Sequence, residues 1–202
     1  MDFKNMKKST IGIIVALVLL FFWGCSSYNG LVSKDEAVTK AWANVEADYQ
    51  RRADLIPNLV EIVKGYAKHE SETFKEVTEA RTKATSLQVN IEDVTEENMK
   101  KLEEYQKAQG ELGAAMGRLI AISENYPELK ANENFKELQA QYEGTENRVK
   151  ESRKAYNEAV NTYNVSVRRF PTNILAGMFG FEKKVPFQAD EGAEKAPKVS
   201  FD

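Results

Sequence analysis

The chain has 202 residues, 29% of them charged and 42% hydrophobic, which suffices for one domain with a buried core. Beyond residue 33 it carries 25 basic against 30 acidic side chains, and this acidic body, with no basic stripe, sets nucleic acid aside as a partner. One cysteine (Cys25) and one histidine (His69) exclude an intramolecular disulfide and a Cys/His zinc site, and no metal or cofactor is expected.

Residues 1–8 form a short basic N-terminus with Lys4, Lys7 and Lys8. An apolar run from Ile11 to Trp23 follows, inside a stretch from Ser9 to Ser33 that bears no charge. As a helix those 25 uncharged residues cover about 37 Å, enough for a hydrocarbon core of about 30 Å. Residues 9–32 therefore read as a transmembrane anchor, with Trp23 and Tyr28 suited to an interface. A lipoprotein signal with lipidation at Cys25 is the second reading, although bulky Phe22 and Trp23 precede the Gly24–Cys25 pair. An ordinary cleaved signal peptide is the third. The basic flank argues for a cytoplasmic N-terminus and a body facing the periplasm or the cell exterior.

Four segments of the body carry helical periodicity. Segment A opens near Ser33, a capping box with Glu36, and shows the row Val38, Trp42, Val45 and Tyr49. Segment B is expected to open near Asp54 with Pro57 in its first turn, after a tight turn over residues 51–57. The competing reading is one long kinked helix. Its row is Leu59, Val63, Tyr66, Phe74, Val77 and Leu87. Segment C opens near Thr95, carries Leu102, Tyr105, Leu112, Met116, Leu119 and Tyr126, and stops at Pro127. Segment D opens near Asn132, with Phe135, Leu138, Tyr142, Val149, Tyr156, Tyr163 and Phe170 in alternating steps of three and four. Asn157 and Asn164 follow two of those tyrosines one heptad apart and are candidates for hydrogen bonds across the helical seam that set register. No strand pattern is evident. The expected fold is an all-α, antiparallel four-helix bundle with long helices over residues 33–187, and residues 188–202 read as a disordered polar tail.

Several stretches carry a resemblance. They include Tyr28-Asn29-Gly30-Leu31-Val32, Ala41-Trp42, Arg51-Arg52-Ala53-Asp54-Leu55-Ile56-Pro57-Asn58-Leu59-Val60 and Tyr66-Ala67-Lys68-His69-Glu70. Further on come Ala80-Arg81, Glu124-Asn125-Tyr126-Pro127-Glu128-Leu129-Lys130-Ala131-Asn132, Tyr156-Asn157, Tyr163-Asn164 and Phe170-Pro171. In this order they resemble the LemA family of bacterial proteins, from Tyr28 to Phe187. The resemblance implies an N-terminal membrane helix and a helical-bundle body, and it brings no reaction or catalytic residue with it.

His69-Glu70 lacks the second histidine of a metalloprotease helix and reads as a polar helix face. Arg51, Arg52, Asp54 and Asn58 form a charged cluster that either organises a helix corner or presents a partner surface. If the anchor continues into segment A and each segment reverses direction, segment D returns to the bilayer. Phe179, Phe181 and Phe187 would then dip into the interface with Lys183 and Lys184 at head groups, or cap the base of the bundle. A single long A–B helix is expected to reverse that geometry. The function these features imply is a membrane-anchored scaffold or interaction protein of the bacterial cell envelope, without catalytic activity. Its partners would be the lipid bilayer, an envelope protein or a second copy. The alternatives are an accessory or sensor module for a membrane protease or kinase, and an enzyme with an unrecognised carboxylate site.

Overall fold

Apolar residues recur every three or four positions from Val38 to Ala67, and the stripe passes Pro57 without a change of phase. The computed structural model describes residues 8–91 and 96–188, and every regular element among them is helical. Helix α1 spans Lys8–Tyr66, α2 Ser71–Ser86 and α3 Glu96–Ile122. A single 3₁₀ turn, Ser123–Asn125, leads to the short α4, Pro127–Ala131. Helix α5 spans Glu133–Arg168 and α6 Thr172–Met178. Residues 181–188 form an extended strap. Thr95, expected to start segment C, and residues 189–202 of the polar tail lie outside the described residues.

The expected turn at residues 51–57 is replaced by helix. Segments A and B join the anchor in one helix of 59 residues, about 90 Å long. Ser33 is not a cap: its hydroxyl donates to the Asn29 carbonyl at 2.9 Å within the helix. Proline inside a helix removes one N–H and leaves the carbonyl four residues earlier without its partner. Here that carbonyl belongs to Ala53, and the Arg81 Nε of α2 donates to it at 2.8 Å. A side chain 28 residues away thus supplies the donor that Pro57 lacks.

This arrangement sets up a test. Arg81→Met leaves the Ala53 carbonyl unpaired at a cost of about 1–3 kcal/mol. In a Pro57→Ala background the alanine N–H can bond to that carbonyl, so the same Arg81 substitution should cost at least about 1 kcal/mol less, a coupling readable in a double-mutant cycle. Urea unfolding in detergent measures it, and equal costs in the two backgrounds would sink the idea.

The chain reverses instead at residues 67–70, inside segment B. Gly65, a poor helix former, stands just before that turn, and Glu70 precedes α2 without any side-chain cap. The Tyr66 hydroxyl accepts from Asn132 Nδ2 at 2.9 Å, which ties this turn to the start of α5. Because the reversal has only moved, the long first helix does not invert the expected geometry: α5 still returns toward the apolar N-terminal segment. Lys34 meets Ser166, Arg52 meets Glu146 and Tyr66 meets Asn132, so α5 runs back along α1. Pro127 opens α4 after α3 has already ended at Ile122. Asn132 caps α5 as expected, accepting from Phe135 N at 2.9 Å.

Two apolar cores result. The distal one takes Ile56, Leu59 and Val63 from α1, Phe74 and Val77 from α2, Leu112, Met116 and Leu119 from α3, and Phe135 and Tyr142 from α5. The core nearer the apolar segment takes Leu31, Val38, Trp42, Val45 and Tyr49 from α1 and Leu102 and Tyr105 from α3. Val149, Tyr156, Val160 and Tyr163 of α5 join it. Helix α2 is too short to reach this second core, and the strap supplies Phe187 where a further helix would otherwise be required. Phe170, expected at the end of the α5 row, is 76% exposed.

Candidate functional site

Between the two cores lies a polar layer. Arg52 is buried, so of its two expected roles it takes the structural one and not a place on a partner surface. Its Nη1 pairs with Glu146 of α5 at 2.9 Å. Its Nη2 donates to the Gln109 carbonyl of α3 at 3.1 Å and also to the Gln109 side chain. Gln109 Nε2 in turn donates to the Ala84 carbonyl at 3.2 Å, at the end of α2. The guanidinium also lies 5.0 Å from the Tyr49 ring centroid. One side chain of α1 thus fixes the axial positions of α3 and α5, as a buried polar group can in a helical seam.

A cleft of 590 Å³ opens beside this layer, lined among others by Tyr49, Arg52, Gln106, Gly110, Glu146 and Lys150. Arg52 and Glu146 are already engaged with each other, and Glu146 is the one carboxylate in the lining. The cleft therefore offers no second carboxyl group for paired acid–base work. The register role is the chemistry this geometry supports.

The remaining cluster residues Arg51, Asp54 and Asn58 are exposed. Their spacing of three and four puts them on one face of α1, and Asp54 accepts from Gln50 Nε2 at 2.7 Å. Asn58 borders a shallow groove of 400 Å³ between α1 and α5, with Glu61, Ile62, Asn134 and Leu138.

The strap is held by side chains of α5. Asn164 Nδ2 donates to the Lys184 carbonyl at 2.8 Å, and Lys184 N donates back to Asn164 Oδ1 at 2.8 Å. Asn157 does the same with Phe187, at 3.2 and 2.8 Å. Seven helical residues advance about 10 Å, which matches three residues of extended chain, so one heptad of α5 spans Lys184 to Phe187. Between these rungs the Tyr156 hydroxyl donates to the Val185 carbonyl at 2.9 Å. Burial holds the Tyr156 phenol up at about 12. Burial, helped by the Asp35 and Glu182 carboxylates, raises Tyr163 to about 12 as well.

This arrangement revises the expected membrane-interface set. Phe187 is buried among Trp42 and Tyr156, with ring centroids at 5.6 and 5.2 Å. Lys184 is buried too, its ammonium 2.8 Å from Asp35 of α1. Phe181 is half-buried, 5.7 Å from the Tyr28 ring, whereas Phe179 and Lys183 are exposed. Cys25 is exposed on α1, which continues as helix on both sides of it. His69 lies exposed in the 67–70 turn, and no group of three or more metal-ligating side chains occurs among the described residues.

Sequence alone assigns no role to Gln109, Glu146, Arg81 or Asp35. Gln109 alone left a readable sign, because it is a polar residue in a core slot between Tyr105 and Leu112.

The residues from Ile11 to Phe22 are exposed on every side of α1, and nothing among the described residues covers them. An 18-residue window there has a mean hydropathy of 2.2 with none of it buried. Together these features define an all-helical protein whose apolar N-terminal helix has the length and composition to cross a membrane and runs without interruption into the body.

The chain belongs to the LemA family, whose model matches residues 41–201. It is similar to magnetosome protein MamQ 2 of Paramagnetospirillum magneticum, at 30% identity over 80% of this chain and 64% of that protein. Magnetosome protein MamQ of Magnetospirillum gryphiswaldense is 27% identical over 93% of this chain and 74% of its own length. Protein LemA of Metamycoplasma hominis is 21% identical over 88% and 76%. The chain thus spans somewhat less than two thirds of the length of the first of these relatives.

Proposed function

We propose that this protein is a non-catalytic, membrane-anchored scaffold of the bacterial envelope, and that its helical faces bind other envelope proteins or a second copy. The observation that carries this reading is the continuity of α1: bare apolar residues and buried core residues lie on one helix, with no hinge between them. An anchor built this way holds its body at a fixed orientation to the bilayer, which suits presentation of a surface. The relatives named as magnetosome proteins favour the same reading. The opposed running of α1 and α5 and the shared distal core support an antiparallel four-helix bundle as the body's architecture. Unbroken helix through Cys25 favours an uncleaved anchor over a lipidated Cys25. The basic residues at 4, 7 and 8 favour a cytoplasmic N-terminus, with the body on the opposite side.

The exposed face of Arg51, Asp54 and Asn58 is the partner surface of this reading. Photo-activatable cross-linkers at Asp54 and Asn58, in the full chain at native abundance, should capture one or a few membrane proteins or a second copy. A chain that remains unlinked from both positions overturns the scaffold assignment.

A further inference from the structure

At the end of the body nearest the apolar segment, α5 gives way to a short loop, α6 and a sharp turn. Four large apolar side chains point away from the protein here: Phe170 is 76% exposed, Ile174 55%, Met178 72% and Phe179 57%. Only one side of α6 is used internally, where Ala176 packs into the core beside α1 and α5. Isolated exposed apolar residues are ordinary, but four crowded within ten positions form a patch that marks an interaction surface.

The surroundings identify what covers it. The Phe179 ring meets Tyr28 of α1 edge-on, with centroids 4.9 Å apart. Tyr28 stands five residues past Trp23, the end of the apolar run, and that is about 8 Å along the helix axis. The polar interface on each side of a hydrocarbon core of about 30 Å is itself about 5–8 Å deep. The 13-residue run alone covers about 20 Å, so a core of about 30 Å takes about 20 residues of the uncharged stretch, from about Ser9 to about Tyr28. Tyr28 and Phe179 then fall at the edge of the hydrocarbon, where the interface begins. The exposed patch is then continuous with the apolar surface of the anchor. Arg168, Arg169 and Lys183 are exposed around it beside the exposed Glu182, while the Asp35 carboxylate is paired with the buried Lys184. Gly180, at φ +74°, turns the chain sharply, and Phe181 N donates to the Ala176 carbonyl at 2.9 Å, closing α6. The strap then leads away from the bilayer along α5.

We propose that residues 170–179 are a second membrane contact, an apolar foot lying in the lipid interface beside the anchor, with Arg168, Arg169 and Lys183 at anionic head groups. This assignment rests on the anchor reading above, and it gives the body two points of attachment, which would hold its tilt as well as its depth.

The test uses the full chain with Cys25→Ser, carrying an environment-sensitive fluorophore on Met178→Cys, Leu19→Cys or Ala140→Cys in turn. Each is reconstituted in vesicles of phosphatidylcholine and phosphatidylglycerol that contain lipids spin-labelled at a shallow acyl position, which reports on 178, or at a deep one, which reports on 19. Expected are blue-shifted emission and strong quenching at positions 178 and 19, and neither at 140. Quenching at 19 but not at 178 overturns the foot while the anchor stands. Quenching at neither position overturns both. Blue-shifted but unquenched emission at 178 means that protein, not lipid, covers the patch, which also overturns the proposal. Combined Arg168→Gln, Arg169→Gln and Lys183→Gln should weaken quenching at 178 only when phosphatidylglycerol is present. An unchanged signal removes the head-group role from these three residues.

Discussion

Trp42→Ala is expected to destabilise the body by about 3–5 kcal/mol, the cost of deleting a large buried aromatic side chain. Trp42 is the point where four parts of the chain meet. From α1 its ring lies 5.9 Å from Tyr105 of α3, 5.3 Å from Tyr156 of α5 and 5.6 Å, stacked, from Phe187 of the strap. Helix α2 does not reach this level, so no neighbouring helix can move in to fill the space. The loss should therefore sit at the upper end of that range, because unrelaxed cavities cost most. Urea unfolding followed by circular dichroism reads the stability, and limited proteolysis near residue 188 reads release of the strap. Phe187→Ala shares the Trp42 contact, so the double variant should cost less than the two single losses together. A loss below about 1 kcal/mol for Trp42→Ala would place this residue among ordinary substitutions and refute its role as the junction.

The part of this fold that was legible beforehand is the part written in local periodicity. Residues 135–163 carry a heptad row, and Phe135, Tyr142, Val149, Tyr156 and Tyr163 are all buried on α5. Asn132 as its cap could be read from residue type and position alone. The reversal between the first two helices could not. Pro57 argued for a break at 51–57, and what cancels that argument is Arg81, whose contact with Ala53 exists only after α2 has folded back. Residues 67–70, where the chain does turn, hold neither proline nor a capping side chain, and Tyr66 and Phe74 are spaced so that the apolar row seems uninterrupted. The same limit applies to the site. Sequence leaves Arg52 open between a structural and a partner-binding role, because its partners Glu146 and Gln109 lie 94 and 57 residues away. Sequence leaves Lys184 and Phe187 open between the membrane interface and the base of the bundle, since nothing local shows that Asn157 and Asn164 draw the strap inward. Those two asparagines, expected to bond across the helical seam, bond instead to the backbone of the strap and set its register along α5.

Alkaline pH should unfold the body, and buried tyrosines should set the midpoint. An unperturbed phenol titrates near 10. In the folded chain burial raises Tyr105 and Tyr142 beyond the ordinary range, and it raises Tyr156 and Tyr163 to about 12. Nearby carboxylates push in the same direction, Glu46 on Tyr105 and Glu146 on Tyr142. A phenol whose pKa is higher in the folded state contributes stability that is fully present below pH 10. That stability drains away as the pH rises through the window up to about 12, because the unfolded chain releases its proton first. For Tyr156 alone the two pH units correspond to about 3 kcal/mol. Four such groups titrating in one domain together amount to a loss comparable with the whole stability of an ordinary domain, about 5–15 kcal/mol. Phenolate absorbance and helix content should therefore change together in one cooperative step above pH 10. Tyr142 provides the control, since its buried hydroxyl makes no hydrogen bond of good geometry. Tyr142→Phe should leave stability at neutral pH within about 0.5 kcal/mol of the parent chain or raise it. It should also move the alkaline midpoint upward, because one of the four proton releases is gone. A midpoint that stays in place, or phenolate formation well ahead of helix loss, would show that these side chains reach solvent without unfolding and would overturn the packing described around Arg52 and Glu146.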